Sequence, residues 1–128
     1  MKEFAIKENH LFVKAYRKGR RYITPTVAVY RLGDLRAGRI RKENPEKRYL
    51  NRIGFTATTK LGKAVVRNRC KRIMREAYRA IAAEATLETG NLLVIAAREG
   101  AVKASSAEVK RDLRRAFVKL DLIKPTAR

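Results

Sequence analysis

The sequence predicts an α/β (α+β) two-layer sandwich, a single domain in which helices pack on one sheet. Three observations carry this expectation. The chain has 128 residues, the size of one domain. With 45% hydrophobic residues it holds enough apolar material for a core that needs no disulfide staples. Its longest helical pattern, 64–85, stands between two short β-rich runs.

The elements follow in order. In residues 9–18, Leu11, Phe12, Ala15 and Tyr16 fall on one side of a helix. Asn9 can cap its start and Gly19 can end it. Residues 22–32 carry Val27, Val29 and Tyr30, the residue types of a strand. Pro25 cannot donate to a ladder, so it marks an edge or a break between two short strands. Residues 33–51 read as a polar loop with six basic residues from Arg36 to Arg48, long for a strand connection. Residues 52–58 alternate, with Ile53, Phe55 and Ala57 on one side and Arg52, Thr56 and Thr58 on the other, as in a half-buried strand. Leu61-Gly62-Lys63 turns the chain into the 64–85 helix, which Glu88-Thr89-Gly90-Asn91 terminates. The apolar run 92–97 predicts a buried strand. Ser105-Ser106-Ala107-Glu108 has capping-box spacing. Val109, Leu113, Ala116, Phe117 and Leu120 follow at helical spacing, and Pro125 closes the tail. With the first β stretch split, the order is α-β-β-β-α-β-α.

The formal net charge is +20 and the pI is near 11.0. A folded body with so much like charge repels itself, and a polyanion relieves that repulsion while releasing its own counterions. Nucleic acid is the leading partner, and an anionic membrane is second. The longest apolar run, 92–97, is far short of the roughly 20 residues that span a bilayer. Residues 1–8 carry no apolar signal core or cleavage pattern, so a cytoplasmic location is expected. Cys70 is the only cysteine, so no internal disulfide can form, which fits a reducing compartment.

The 64–85 helix carries the functional signal. At about 100° per residue, Val66, Cys70, Ile73, Met74, Ala77, Ala80 and Ile81 gather in an arc of roughly 120°. Arg67, Lys71, Arg72, Arg75 and Arg79 lie across from it with Asn68 and Tyr78 among them, and Arg69 lies at the edge. A merely solvated face mixes signs so that acids pair with bases at i,i+4. Here Glu76 is the only acid between Lys60 and Arg79, against eight basic residues. The ridge therefore reads as a nucleic-acid face, and the planar arginine fork suits bidentate phosphate contacts.

The run from Arg52 to Arg79, centred on Arg67-Asn68-Arg69-Cys70-Lys71-Arg72, resembles the signature of the bacterial ribonuclease P protein family. Phe12-Val13-Lys14-Ala15-Tyr16-Arg17-Lys18-Gly19 resembles that family's first helix, and Leu93-Val94-Ile95-Ala96-Ala97-Arg98 its last strand. The resemblance covers residues 8–120 of a single 1–128 domain, leaving 33–51 as an unusually long basic loop and 121–128 as a tail.

The resemblance implies that the strands at 52–58 and 92–97 are parallel neighbours joined by a left-handed crossover, against the general right-handed rule. It implies a protein subunit of an endoribonuclease that removes 5′ leaders from precursor tRNA. The catalyst is then a partner RNA, with magnesium held mainly by that RNA and the substrate, and the polypeptide alone is inactive. By resemblance, Lys60, Lys63, Arg67, Asn68, Arg69, Lys71, Arg72, Arg75 and Arg79 face the catalytic RNA. Phe12, Tyr16 and Tyr30 line the leader cleft, where aromatic faces stack on unpaired bases with little sequence preference. Thr59 stands where the family often has another lysine.

No catalytic or metal-ligating residue is assigned in the chain. The zinc-protease, P-loop and paired-cysteine spacings are absent. His10 is the lone histidine, and twelve scattered acids form no visible carboxylate cluster. Cys70 falls in the apolar arc, as a buried, inert thiol does. The alternative is a ribosomal or other structural RNA-binding protein, which composition cannot separate from this reading. A DNA-binding regulator is disfavoured because strand and turn, not a first helix of a helix–turn–helix pair, precede residue 64. Neither DNA nor a membrane is expected as a partner. Loss of Arg67 or Arg69 is expected to weaken RNA assembly without unfolding the domain.

Overall fold

The structure, a computed structural model, describes residues 4–5, 9–33, 51–88 and 90–123. In chain order they form β1 (Phe4–Ala5), α1 (Asn9–Lys18), β2 (Arg20–Ile23), β3 (Val27–Gly33), β4 (Arg52–Thr56), α2 (Ala64–Glu84), β5 (Asn91–Ala97) and α3 (Ser106–Lys119). This is the expected order with one two-residue strand added in front. Beyond their end residues, the 33–51 loop and the tail from 124 onward lie outside the described residues, as does the capping role of the Asn9 side chain.

The sheet order is β1-β4-β5-β3-β2. β2 and β3 form an antiparallel hairpin, so Pro25 does mark a break between two strands. β3 runs antiparallel to β5, with Tyr30 opposite Val94. β4 and β5 are parallel neighbours, with Gly54 opposite Val94 and Thr56 opposite Ala96. α2 joins them. β1 pairs parallel along the other side of β4, with Phe4 opposite Arg52. β4 is thus an internal strand, and its expected alternation does not hold: Arg52, Ile53 and Gly54 are all buried, Arg52 at 5% exposure.

Opposed residues on paired strands share a face of the sheet. Val27, Val29, Ile53, Leu93 and Ile95 face α2 and α3 and form the main core with Ile73, Met74, Ile81, Leu113 and Phe117. Leu92 and Val94 point the other way, onto Leu11 and Ala15 of α1, with Phe12, Tyr30 and Leu32 packed around them. α2 and α3 make the helical layer of the sandwich, and α1 lies alone on the opposite face.

Local chemistry sets the ends of the elements. The Ser105 hydroxyl accepts the Glu108 backbone N–H at 3.2 Å, the N-cap of the expected capping box. Gly19 ends α1 because nothing larger fits: a Cβ there would lie 2.6 Å from the Ala15 carbonyl oxygen and 2.9 Å from that of Arg31. Gly62, at φ +133°, takes the backbone from a 3-10 turn (Thr59–Leu61) into α2. At the start of the parallel pair, the buried Asn51 side chain donates to the Glu88 carbonyl at 2.9 Å and accepts from the Asn91 N–H at 3.0 Å. Among the described residues no helix is long and apolar enough to cross a membrane.

Candidate nucleic-acid interface

The cationic ridge forms on α2 because its apolar arc is consumed by the core. Cys70, Ile73, Met74, Ala77 and Ile81 are buried as expected, while Val66 and Ala80 are only partly covered. Asn68, Arg72, Arg75 and Arg79 are exposed along the outer face, with Lys71 half-buried beside them. Lys60 and Lys63 are exposed on the turn that leads into the helix. The Arg67 side chain is half-buried, its Nε donating to the Gly62 carbonyl at 3.3 Å. Arg75 lies over the Phe55 ring, 5.7 Å from its centroid, which directs this part of the ridge toward β4.

Two residues of the motif leave the ridge. Arg69 leans the other way: its NH1 and NH2 donate to the carbonyls of Val102 and Ala104 at 2.9 and 3.2 Å. Its guanidinium closes the loop before α3, so its geometry is that of a structural brace. Tyr78 is 3% exposed and stacks edge-on between Phe55 and Phe117, with centroids at 6.2 and 6.1 Å. The arc reading set it among the cations because one helix viewed alone does not reveal that β4 and α3 widen the buried side.

The second candidate surface lies across the sheet, beside α1. Phe12 and Tyr16 are one turn apart on the same edge of that helix. The Tyr16 ring meets the Tyr30 ring edge-on at 4.8 Å. Its hydroxyl lies 3.3 Å from the Thr56 hydroxyl, and either can donate. Tyr30 is on β3 and Thr56 on β4, so Tyr16 reaches across the intervening β5. It is 38% exposed, while Phe12 and Tyr30 are half-buried. The three expected residues therefore come together, and none of them is fully buried. The floor beside them is made of small residues, Ala28, Ala96 and Gly54. Ile23, opposite Ala28, is 51% exposed. Sequence reasoning missed Thr56, Ile23 and the 80%-exposed Val65 at the entry to α2, since none of the three departs from its local pattern.

Neither surface carries acid–base machinery. His10 is exposed. Burial pushes the Cys70 thiol up, opposed by the Arg69 charge, so the thiol stays protonated. Among the described residues no three His, Cys, Asp or Glu side chains come together to hold a metal ion. The geometry can bind a polyanion along α2 and flat, unpaired bases beside α1.

These features agree with what the chain is similar to. The family model described as Ribonuclease P matches residues 1–121. A ribonuclease P protein component from Gluconacetobacter diazotrophicus is 36% identical over 114 residues, covering 89% of this chain and 88% of that protein. The one from Geobacillus kaustophilus is 33% identical over 112 residues, covering 88% and 82%. In fold, the chain superposes on the Staphylococcus aureus RNase P protein with a TM-score of 0.72 at 23% identity, over 96% of this chain and all of that one. The Thermotoga maritima RNase P protein gives 0.67 at 18% identity, over 87% and 92%.

Proposed function

The chain belongs to the ribonuclease P protein family, and from that premise we propose that it is the protein subunit of a tRNA-processing ribonucleoprotein. The holoenzyme is an endoribonuclease that removes the 5′ leader of precursor tRNA. The partner RNA is the catalyst, and the polypeptide alone is inactive. Lys60, Lys63, Arg67, Asn68, Lys71, Arg72, Arg75 and Arg79 hold that RNA, and Phe12, Tyr16 and Tyr30 hold the leader. The observation that carries the reading is the pairing of an open aromatic trough beside α1 with a one-sided cationic helix on the other face of the sheet. The match of the Ribonuclease P family model over residues 1–121 favours this reading over an RNA-packaging protein of the ribosomal kind.

The two surfaces divide the work by chemistry. The ridge neutralises phosphates, a contact that carries affinity but no sequence information. The trough offers Tyr16 and Tyr30 edge-on to one another, so one ring face stays open for a base, and stacking accepts any leader sequence. Arg69 acts through the α3 loop it braces rather than through RNA. Magnesium supplies the charge neutralisation that phosphodiester cleavage requires. On this reading the RNA and the substrate hold it, and no step passes through the protein.

The test is precursor-tRNA cleavage by the cognate catalytic RNA at near-physiological magnesium, with and without the protein and with a protein-only control. A large RNA-dependent stimulation with an inert protein alone is expected. No stimulation of a properly folded RNA would return the chain to the packaging alternative.

A further inference from the structure

We propose that the outer face of α3 is a second RNA-binding face, gripping the phosphate backbone of one RNA segment while α2 grips another. The proposal rests on the RNA-binding reading above and adds a bridging role to it. Arg111, Arg115 and Lys119 stand at i, i+4 and i+8 on α3 and are all exposed. At 1.5 Å per residue the row is about 12 Å long.

Among the described residues the side chains of Arg115 and Lys119 have no hydrogen bond or ion pair. Arg111 pairs with Asp112 Oδ1 at 3.6 Å but keeps its side chain 67% exposed, while Oδ2 of that buried carboxylate accepts the Thr26 hydroxyl at 2.7 Å. Like charges at i,i+4 cost helix stability, and within the described residues nothing offsets those of Arg115 and Lys119.

The other flank of the same helix shows how this protein neutralises cations when no outside partner is needed. Lys110 and Arg114 both pair with Glu84 of α2, and Glu76 lies in the same groove. Acids are thus placed on the seam between the helices. On the outer flank Glu108 belongs to the Ser105 cap, and Asp121 is held by Arg20 at 3.0 Å. α2 packs over β4 and β5, and α3 over β3 and β2. The two cationic rows therefore flank the helical layer on opposite sides, with the acidic seam between them. The Thr26–Asp112 bond pins α3 to the β2–β3 turn, so the row is rigidly presented.

Charge complementarity favours phosphates of RNA over a lipid surface. A membrane-seated helix needs an apolar face to sink into the acyl boundary. The apolar side of α3 (Val109, Leu113, Ala116, Phe117) is wholly inside the core, and its outer face exposes no large apolar residue.

The test compares the full-length protein with Arg111→Gln/Arg115→Gln/Lys119→Gln, using a donor-labelled and an acceptor-labelled RNA hairpin. The unaltered protein should bring the two hairpins together and produce energy transfer. The triple variant should need about tenfold more protein for the same transfer, while its affinity for a single hairpin, held by α2, falls much less. Its salt slope for the catalytic RNA should drop by about 2 to 3. Transfer and slope equal to the parent's would overturn the proposal while leaving the α2 reading intact. Failure of the unaltered protein to bind either hairpin would sink both. Loss of binding to phosphatidylserine vesicles with RNA behaviour unchanged would assign the face to lipid and overturn it. Circular dichroism checks the fold, and should the triple variant unfold, Arg115→Gln alone should lower the slope by about one.

Discussion

The α2 ridge and the α1 trough lie on opposite faces of one sheet, and they are built in opposite ways. The ridge comes from a single helix whose exposed side chains owe their positions to a 3.6-residue period. The trough is assembled from α1, β3 and β4, which are 14 to 40 residues apart along the chain and meet only through the order of the sheet. Apart from Arg67 on the Gly62 carbonyl and Arg75 over the Phe55 ring, ridge residues make few contacts and can be changed with little effect on the core. Phe12 and Tyr30 are half-buried against Leu92 and Val94 and are part of what holds α1 down, with Tyr16 set edge-on against Tyr30. A surface that binds phosphates can be local; one that shapes itself to unstacked bases needs walls from several elements.

The sharpest way to break this comparison is to neutralise the ridge. Arg72→Gln/Arg75→Gln/Arg79→Gln should lower affinity for the catalytic RNA by about two orders of magnitude at 0.1 M salt, through three lost phosphate contacts. The urea midpoint should stay unchanged or rise, because like charges are removed. A fall in stability that matches the fall in affinity would show the ridge to be structural.

The trough should respond with a smaller and more selective loss. Tyr16→Ala should cost about 1–3 kcal/mol in binding precursor tRNA relative to mature tRNA, the worth of one stacked base. Tyr16→Phe should keep most of that, losing only the contact with Thr56. Equal losses for both tRNAs, measured by competition binding, would return Tyr16 to a packing role.

Arg69→Ala sharpens the comparison inside the motif itself. Removing a charged donor from two carbonyls should cost about 1–3 kcal/mol in a urea melt. The salt slope for RNA should barely move. The reverse pattern, intact stability with a lowered slope, would put Arg69 back on the ridge, where the sequence reading had it.

The smallest effect is expected at the α2–α3 seam. The hydrogen bond from Lys110, helped by the Lys110 and Arg114 charges, holds the Glu84 carboxyl below its ordinary value of 4.5. A depressed folded pKa contributes stability that is full above the unfolded value and disappears as pH falls through the folded one. Glu84→Gln should therefore be slightly less stable than the parent at neutral pH, with the gap closing as pH drops below 4.5. A constant gap down to acid pH would mean that the pair contributes by shape and not by charge.

Much of this was legible in residue order. The ends of α1, the break at Pro25, the Ser105 cap and the buried row from Val109 to Leu120 all follow from local patterns, and all appear in the fold. The family motif located the ridge and brought Phe12, Tyr16 and Tyr30 together as a set. Reading failed where a residue's environment came from a neighbour not adjacent in sequence. Arg52 looked exposed, yet it is buried opposite Leu92, on the face of the sheet that α1 covers. Tyr78 looked cationic-faced until Phe55 and Phe117 closed on it. Residue order also gave no sign that two carbonyls of the α3 loop accept from the Arg69 guanidinium.

By itself, then, the sequence determined the helices, every strand but the two-residue β1, their order along the chain and the sign of the surface charge. Each depends on periodicity, on turn chemistry or on a sum over residues, quantities that do not change when the chain folds up. Tertiary structure alone decided which side of the sheet α1 covers, which cations are offset by acids, and which are left facing solvent. Those are set by pairwise distances between remote side chains, and a periodic pattern carries no information about distance to anything outside its own element.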